Sequence, residues 1–291
     1  MRVVVRLKGG VGNQLFQFAA GLGLANRIRG QLVFDLVSGF VRDRYQRQFE
    51  LGQLGVAAAE ANDVEIRATQ VLSRLGRYPS FRRASWSIPG MAVLREGCDL
   101  RAWHRPHQIP LAWLFVDGYW QDPRFFPQDS AAIRRSLKIE KLLPTDKDLL
   151  TLARSPRTVA VHVRKFSAEN PGSAVDLSPD YYSRALRQVG DLIENPEILV
   201  FSDDPVSAEV MLRTVVPASM SVKIADCGSP LRDFALMSTC PNAVIANSTF
   251  SWWAAWLGSC QQGQVIYPLS RPEVGVWNLP APIQLPEWMG V

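Results

Sequence analysis

The sequence predicts an α/β protein made of two doubly wound domains. Three observations predict it. Strand-like segments alternate with segments of helical period through both halves of the chain. The first strand is apolar without interruption through "VVV", the pattern of a strand buried on both faces of a parallel sheet. Between the halves lies "KIEKLLPTDKDLLTLARSPR", charged and carrying Pro144 and Pro156, which reads as the junction between domains 1–150 and 151–291.

The elements follow in order. The first strand covers Arg2 to Leu7, and its helix Gln14 to Arg27, where Leu15, Phe18, Leu22 and Ala25 keep a three- to four-residue spacing. "QLVFDLV", Gln31 to Val37, is the second strand, and "DVEIRATQVLSRLG" has the period of a helix. "SFRRASWSIPGMAVLREGCDLRAWHRPHQ" has no clean period and reads as irregular. "AWLFVDGYWQDPRFF" opens as a strand that ends near Asp117 to Gln121, and a polar helix covers Gln128 to Leu137. In the second half "TVAVHV", "EILVFS", "SVKIAD", "NAVIAN" and "GQVIYP" are strands. The helices between them are "SPDYYSRALRQVGDLI", "PVSAEVMLRTVV", "PLRDFALMSTC" and "TFSWWAAWLG".

Composition bounds the function. The chain has 291 residues, 47% of them hydrophobic and 20% charged, enough apolar material for a large core. Lys plus Arg exceed Asp plus Glu by 32 to 27, and the arginines are scattered through "RIRG", "VRDRYQR", "FRRAS" and "RAWHRPH". That balance suits an anionic ligand such as a nucleotide, or an acidic surface, and is too diffuse for nucleic acid. Cys98, Cys227, Cys240 and Cys260 form no C-x-x-C pair, so reduced thiols in a cytoplasmic protein are expected. No signal-peptide pattern and no run of about 18 apolar residues occurs, which leaves peripheral association at the inner membrane face open through basic patches.

The loop "KGGVGNQLFQFAAG" joins a strand to a helix, the setting of a dinucleotide fingerprint. Gly10 and Gly12 match G-x-G-x-x-G, but Leu15 stands where the third glycine should be, and no Gly-Lys-Ser/Thr follows. Asp35 lies where a ribose-binding acid would. Asn13 and Gln14 offer amide groups that suit sugar hydroxyls as well as phosphate. "VAVHVRK" is a strand ending in His162, Arg164 and Lys165, and ligands of doubly wound sheets sit beyond such strand ends. An Arg fork with a second cation can neutralise a diphosphate, against the bland reading of a solvated strand end. "NAVIANSTFSWWAAWLG" puts Asn247, Ser248, Thr249 and Phe250 where a buried strand turns into an aromatic helix. Ser or Thr there is a natural cap, and the same helix start can hold an anion. Asp203 and Asp204 in "FSDDP" can accept from a guanine edge or ribose, or simply open the next helix. Asp146 and Asp148 in "TDKDL" read better as helix-start charge than as metal ligands. "HRPH", His104 and His107, has no third ligand nearby, so no metal is expected.

Together these segments resemble glycosyltransferase family 11, the bacterial α-1,2-fucosyltransferases. "GGVGNQLFQFA" is similar to the family's N-terminal signature, "GYWQDPRFF" to its middle segment and "HVRK" to the start of its H-x-R-R-x-D motif. "FSDDP" and "ALMSTCPNAVIANSTFSWWAAWL" match later motifs in the family's order. One departure stands out: Lys165, Phe166 and Ser167 occupy the places of the family's second Arg, Gly and Asp. The resemblance implies a GT-B fold, two Rossmann-like domains facing a cleft. It implies GDP-fucose held by the C-terminal domain, a β-galactoside approached by the N-terminal one, and inverting transfer to the galactose 2-hydroxyl. Carried over by motif, His162 and Arg164 are the catalytic pair, with Lys165, Asp203, Asp204 and Asn247 to Phe250 on the donor. The Gly9 to Gln14 loop, with Gly10, Asn13 and Gln14, joins Trp120 and Gln121 on the acceptor side. Asp117, Asp122 and Asp35 are all candidates for the general base, and no metal or other cofactor is expected. A dinucleotide-dependent oxidoreductase and a non-catalytic module binding nucleotides or acidic glycans are the competing readings.

Overall fold

The computed structural model describes residues 1–43, 45–76, 85–104, 110–165, 176–258, 263–269 and 285–291. The chain divides into two compact units, Met1–Lys138 and Ile139–Val291. The division falls at the start of the charged segment read as the junction. A boundary at 150 would cut a helix, Lys147–Arg154.

The first unit contains β1 (Arg2–Arg6), α1 (Val11–Arg27), β2 (Gln31–Asp35), β3 (Ala59–Glu60), α2 (Asp63–Leu75), β4 (Ser85–Ile88), β5 (Gly90–Arg95), β6 (Leu111–Asp117) and α3 (Ser130–Ser136). Its sheet has the order β3-β2-β1-β6-β5-β4. β1 pairs in parallel with β2 and β6, and β4 folds back antiparallel on β5. Alternation along β1 sends its valines to opposite faces. Val4 packs in a cluster with Val33, Phe115 and Leu72 of α2. Val5 meets α1, which approaches so closely that a Cβ on Gly21 would lie 2.5 Å from a Val5 methyl. Helices on both faces of a mostly parallel sheet make the unit doubly wound.

Two expectations are corrected here. α1 begins at Val11 rather than Gln14, because Gly10 is its N-cap and the Gln14 N–H already bonds the Gly10 carbonyl at 3.0 Å. The segment read as irregular contains the β4–β5 hairpin, turning at Pro89–Gly90 with Gly90 at φ 92°. β4 is a largely exposed edge and the middle of β5 is buried, so neither shows a two-residue alternation.

The second unit contains α4 (Lys147–Arg154), β7 (Thr158–Val163), α5 (Pro179–Leu192), β8 (Glu197–Ser202), α6 (Pro205–Arg213), β9 (Ser221–Ile224), α7 (Pro230–Met237), β10 (Asn242–Val244), α8 (Thr249–Gly258), β11 (Val265–Tyr267) and β12 (Met289–Gly290). All pairings are parallel, in the order β12-β11-β10-β7-β8-β9. Counted from β7, this is the 3-2-1-4-5-6 order of dinucleotide-binding folds. Val159, Val161 and Val163 point into a core with Tyr181, Ala185 and Leu186 of α5 and Ala208 and Leu212 of α6. The residues between them face the other way, and there His162 meets Phe250 of α8.

Candidate functional site

In each sheet the strand order reverses beside its central strand, at β1/β6 and at β7/β10. The carboxyl ends flanking such a reversal are where open α/β sheets bind ligands. Two adjacent tyrosines of α5 brace the reversal in the second unit. The Tyr182 hydroxyl donates to the His162 carbonyl at 3.1 Å, and the Tyr181 hydroxyl to the Ile245 carbonyl at 2.6 Å. Sequence reading passed over both; the doubled Tyr in the first turn of a predicted helix was the available signal.

His162 is 5% exposed and stacks on Phe250, with ring centroids 5.4 Å apart. Phe250 in turn meets Phe234 of α7 edge-on. Burial, and after it the charge of Arg164, pulls the imidazole down to about 3. His162 is therefore neutral at physiological pH, and its buried Nδ1 has no hydrogen-bond partner among the described residues. The cation of this strand end is Arg164, whose Nη1 donates to Asp203 Oδ2 at 2.6 Å. Asp203 Oδ1 accepts from the Lys165 backbone N–H at 3.0 Å. β7 stops at Val163, so strand alternation does not govern Arg164 and Lys165. The Lys165 ammonium lies 4.0 Å from Asp176. The two acids of "FSDDP" part company: Asp203 holds Arg164, while Asp204 caps α6 by accepting from Ser207 N at 3.0 Å. Phe166 and Ser167 lie outside the described residues.

Across the reversal, Asn247, Ser248, Thr249 and Phe250 are half-buried at the start of α8. Ser248 stands in the capping place. Its Oγ accepts from Phe250 N at 3.3 Å, and its carbonyl accepts from Trp252 N at 3.0 Å. Trp252, Trp253 and Trp256 are buried against one another, which anchors the helix behind its half-buried start.

In the first unit the Asp117 carboxylate lies at the end of β6. It accepts from Lys8 Nζ at 2.8 Å and from Arg6 Nη1 at 3.3 Å. Burial pushes its proton affinity up, but the two cations and their hydrogen bonds outweigh burial and hold the carboxyl below its usual range. Asp35 is fully buried; it accepts from Val37 N, Ser38 N and Ser38 Oγ and so closes its own turn. Asp122 is gripped by Arg124 through Nε at 2.9 Å and Nη2 at 2.7 Å. Gln14 is likewise committed: its Nε2 donates to the Gly9 and Gln48 carbonyls, both at 2.8 Å, and its Oε1 accepts from Glu50 N at 2.9 Å. It ties the glycine loop to residues 48–50 and has no exposed amide to offer a sugar.

Asn13 and Gln121 meet, with Gln121 Nε2 donating to Asn13 Oδ1 at 2.6 Å. Trp120 is 1% exposed and packs edge-on against Phe125, so it belongs to the core. Its neighbour Tyr119 is 40% exposed, with Lys8 Nζ 4.9 Å from its ring centroid. Gly10 has an open Cβ position, its nearest neighbour being Arg47 Nε at 3.7 Å. Sequence reading missed Lys8 and Tyr119, each next to a position it chose, and Arg6, three residues before the glycine loop.

The remaining candidates are structural or distant. Asp146 caps α4 through Asp148 N and Leu149 N. His104 is exposed, and His107 and Cys260 lie outside the described residues. Cys98, Cys227 and Cys240 are free thiols. Among the described residues no group of three or more His, Cys, Asp or Glu is placed to hold a metal ion. Among them, too, no helix is long and apolar enough to cross a membrane.

Two parallel-rich sheets, each reversing beside its central strand, make an α/β fold of the GT-B type. The match to the glycosyl transferase family 11 profile covers residues 101–291, and the chain belongs to that family. An alpha-1,2-colitosyltransferase from Escherichia coli is 27% identical over 91% of this chain and 91% of its own. The O-antigen biosynthesis glycosyltransferase WbnK, also from Escherichia coli, is 28% identical over 90% and 92%. Among solved structures, a variant of FUT1 from Arabidopsis thaliana in complex with GDP aligns with a TM-score of 0.56. It covers 93% of this chain and 70% of its own at 16% identity, a likeness of fold.

Proposed function

We propose that the protein transfers fucose from GDP-fucose to the 2-hydroxyl of a terminal β-galactoside, with inversion and without a divalent metal. The observation that carries this reading is the pairing of Arg164 and the α8 start on the two sides of the β7/β10 reversal. Breaking the sugar–phosphate bond develops negative charge on the departing GDP. A preorganised guanidinium and a helix N-terminus stabilise that charge without reorganising. Neutral His162 completes the strand end as a hydrogen-bonding group rather than a cation. Asp117, its proton affinity lowered by Arg6 and Lys8, makes a weak general base. The reading therefore puts the catalytic load on the leaving group, as suits an oxocarbenium-like transition state.

The name of one relative, an alpha-1,2-colitosyltransferase, supplies both the linkage class, α-1,2, and colitose as an alternative sugar. A donor panel separates the two: GDP-fucose and GDP-colitose with lactose as acceptor, the product linkage and anomer read by NMR. An α-1,2-fucosyl product is expected. A thermal-shift panel tests the donor class at the same time. Stabilisation by GDP is expected; stabilisation by NAD or NADP instead would favour an oxidoreductase, and by heparin alone a binding module.

A further inference from the structure

We propose that Tyr119 is the stacking platform for the acceptor sugar, an inference that rests on the acceptor class just proposed. It starts from a backbone outlier. Trp120 has φ 54°, a left-handed conformation that a bulky residue adopts only when its surroundings impose it. Here two things impose it. The indole is buried to 1% exposure and packed on Phe125. The Glu96 carboxylate, just past β5, accepts the backbone N–H groups of both Tyr119 and Trp120.

The consequence is that adjacent aromatic residues part. The Trp120 ring enters the core, and Tyr119 stays two-fifths exposed past the carboxyl end of β6, beside the strand reversal of the first sheet. Its surroundings are polar and restrained. Lys8 Nζ sits 4.9 Å from the ring centroid and is itself held by Asp117. Gly9 lies against the ring edge, where an added Cβ would come within 3.4 Å of Tyr119 Cε1 and 2.8 Å of Asn13 Nδ2. Asn13 is joined in turn to Gln121. A part-exposed tyrosine, with an ammonium held over one face of its ring and the Asn13 carboxamide beside the glycine that meets its edge, offers a pyranose a ring for its C–H groups and hydrogen-bonding groups close by. Strain that displays one ring while burying the next is a device for presenting that ring.

The test compares Tyr119→Ala, Tyr119→Phe and wild type, each checked by circular dichroism and by its GDP thermal shift. Acceptor KM for lactose, donor KM for GDP-fucose and saturation-transfer NMR of methyl β-galactoside are measured. Loss of the ring should raise acceptor KM about tenfold, equivalent to about 1.4 kcal/mol of lost stacking. Donor KM and the GDP shift should stay within about twofold, the scatter expected for a residue outside the donor site. Tyr119→Phe should keep most of the affinity and most of the NMR saturation of the sugar. If Tyr119→Ala leaves both acceptor KM and saturation unchanged while wild type transfers fucose, the platform is refuted and the functional reading survives. If wild type neither transfers to nor binds any β-galactoside, the acceptor class and the platform fall together.

Discussion

The Asp203 carboxylate holds the Arg164 guanidinium at 2.6 Å and the Lys165 backbone N–H at 3.0 Å, so one side chain past β8 fixes two residues past β7. A guanidinium has five N–H donors, so the Nη1 bond to Asp203 is compatible with a bidentate grip on a diphosphate. Lys cannot reproduce that fork. Arg164→Lys should lower kcat/KM by about a hundredfold, roughly 2.7 kcal/mol of transition-state stabilisation. Asp203→Asn keeps an acceptor for Lys165 N but loses the charge that orients Arg164, and should cost about tenfold. Lys165→Ala should cost less than about tenfold, as loss of a longer-range charge. Steady-state kinetics on folded variants orders the three, and Lys165→Ala as the worst would move the phosphate role to Lys165.

His162 makes stability depend on pH with a definite sign. The unfolded chain takes up its proton near 6.5, while the folded one resists protonation down to about 3. Between those values the unfolded state binds more protons, so stability is greatest above 6.5 and falls as the pH falls. One such group contributes a slope of up to about 1.4 kcal/mol per pH unit. The chain has three histidines, so urea unfolding at pH 7, 6 and 5 isolates the effect above the carboxylate range. His162→Asn should flatten the slope; an unchanged slope would mean that His162 titrates as an exposed imidazole does.

Ser248 should serve both fold and donor. Its Oγ bond to Phe250 N is long, 3.3 Å, so Ser248→Ala should cost about 0.5–1 kcal/mol as a cap. Donor KM should rise as well. An unaltered donor KM in the folded variant would leave capping as its whole role.

Gln14 separates bracing from sugar contact. Gln14→Ala removes the partner of one buried carbonyl, Gly9, and breaks part-buried bonds to the Gln48 carbonyl and Glu50 N–H, and should destabilise the fold by about 1–3 kcal/mol. Acceptor KM should change little in the protein that remains folded. Full stability with a raised acceptor KM would return Gln14 to the acceptor side.

Chelation tests the electrostatic mechanism directly. With Arg164 and the α8 start supplying the positive field, EDTA should leave the transfer rate within about twofold, a margin for ionic-strength effects. A tenfold loss restored by manganese would show a metal at work.

The sequence alone determined the features that depend on local pattern. A continuous apolar run marked β1, because a central parallel strand is buried on both faces. Capping residues and prolines at first-turn positions marked α5, α6 and α7, because helix starts have orphan N–H groups to satisfy. The "HVRK" and "NST" segments marked two strand ends, because both lie where a strand gives way to a turn. Tertiary structure alone decided which polar groups remain for a ligand. Asp35, Asp122 and Gln14 look like chemistry in the sequence, yet each is consumed by partners two to thirty-six residues away. Neutral His162, clamped Arg164 and displayed Tyr119 are equally illegible in one dimension. Each depends on burial or on a carboxylate from another strand end, and burial and charge pairing are properties of the packed chain rather than of its local sequence.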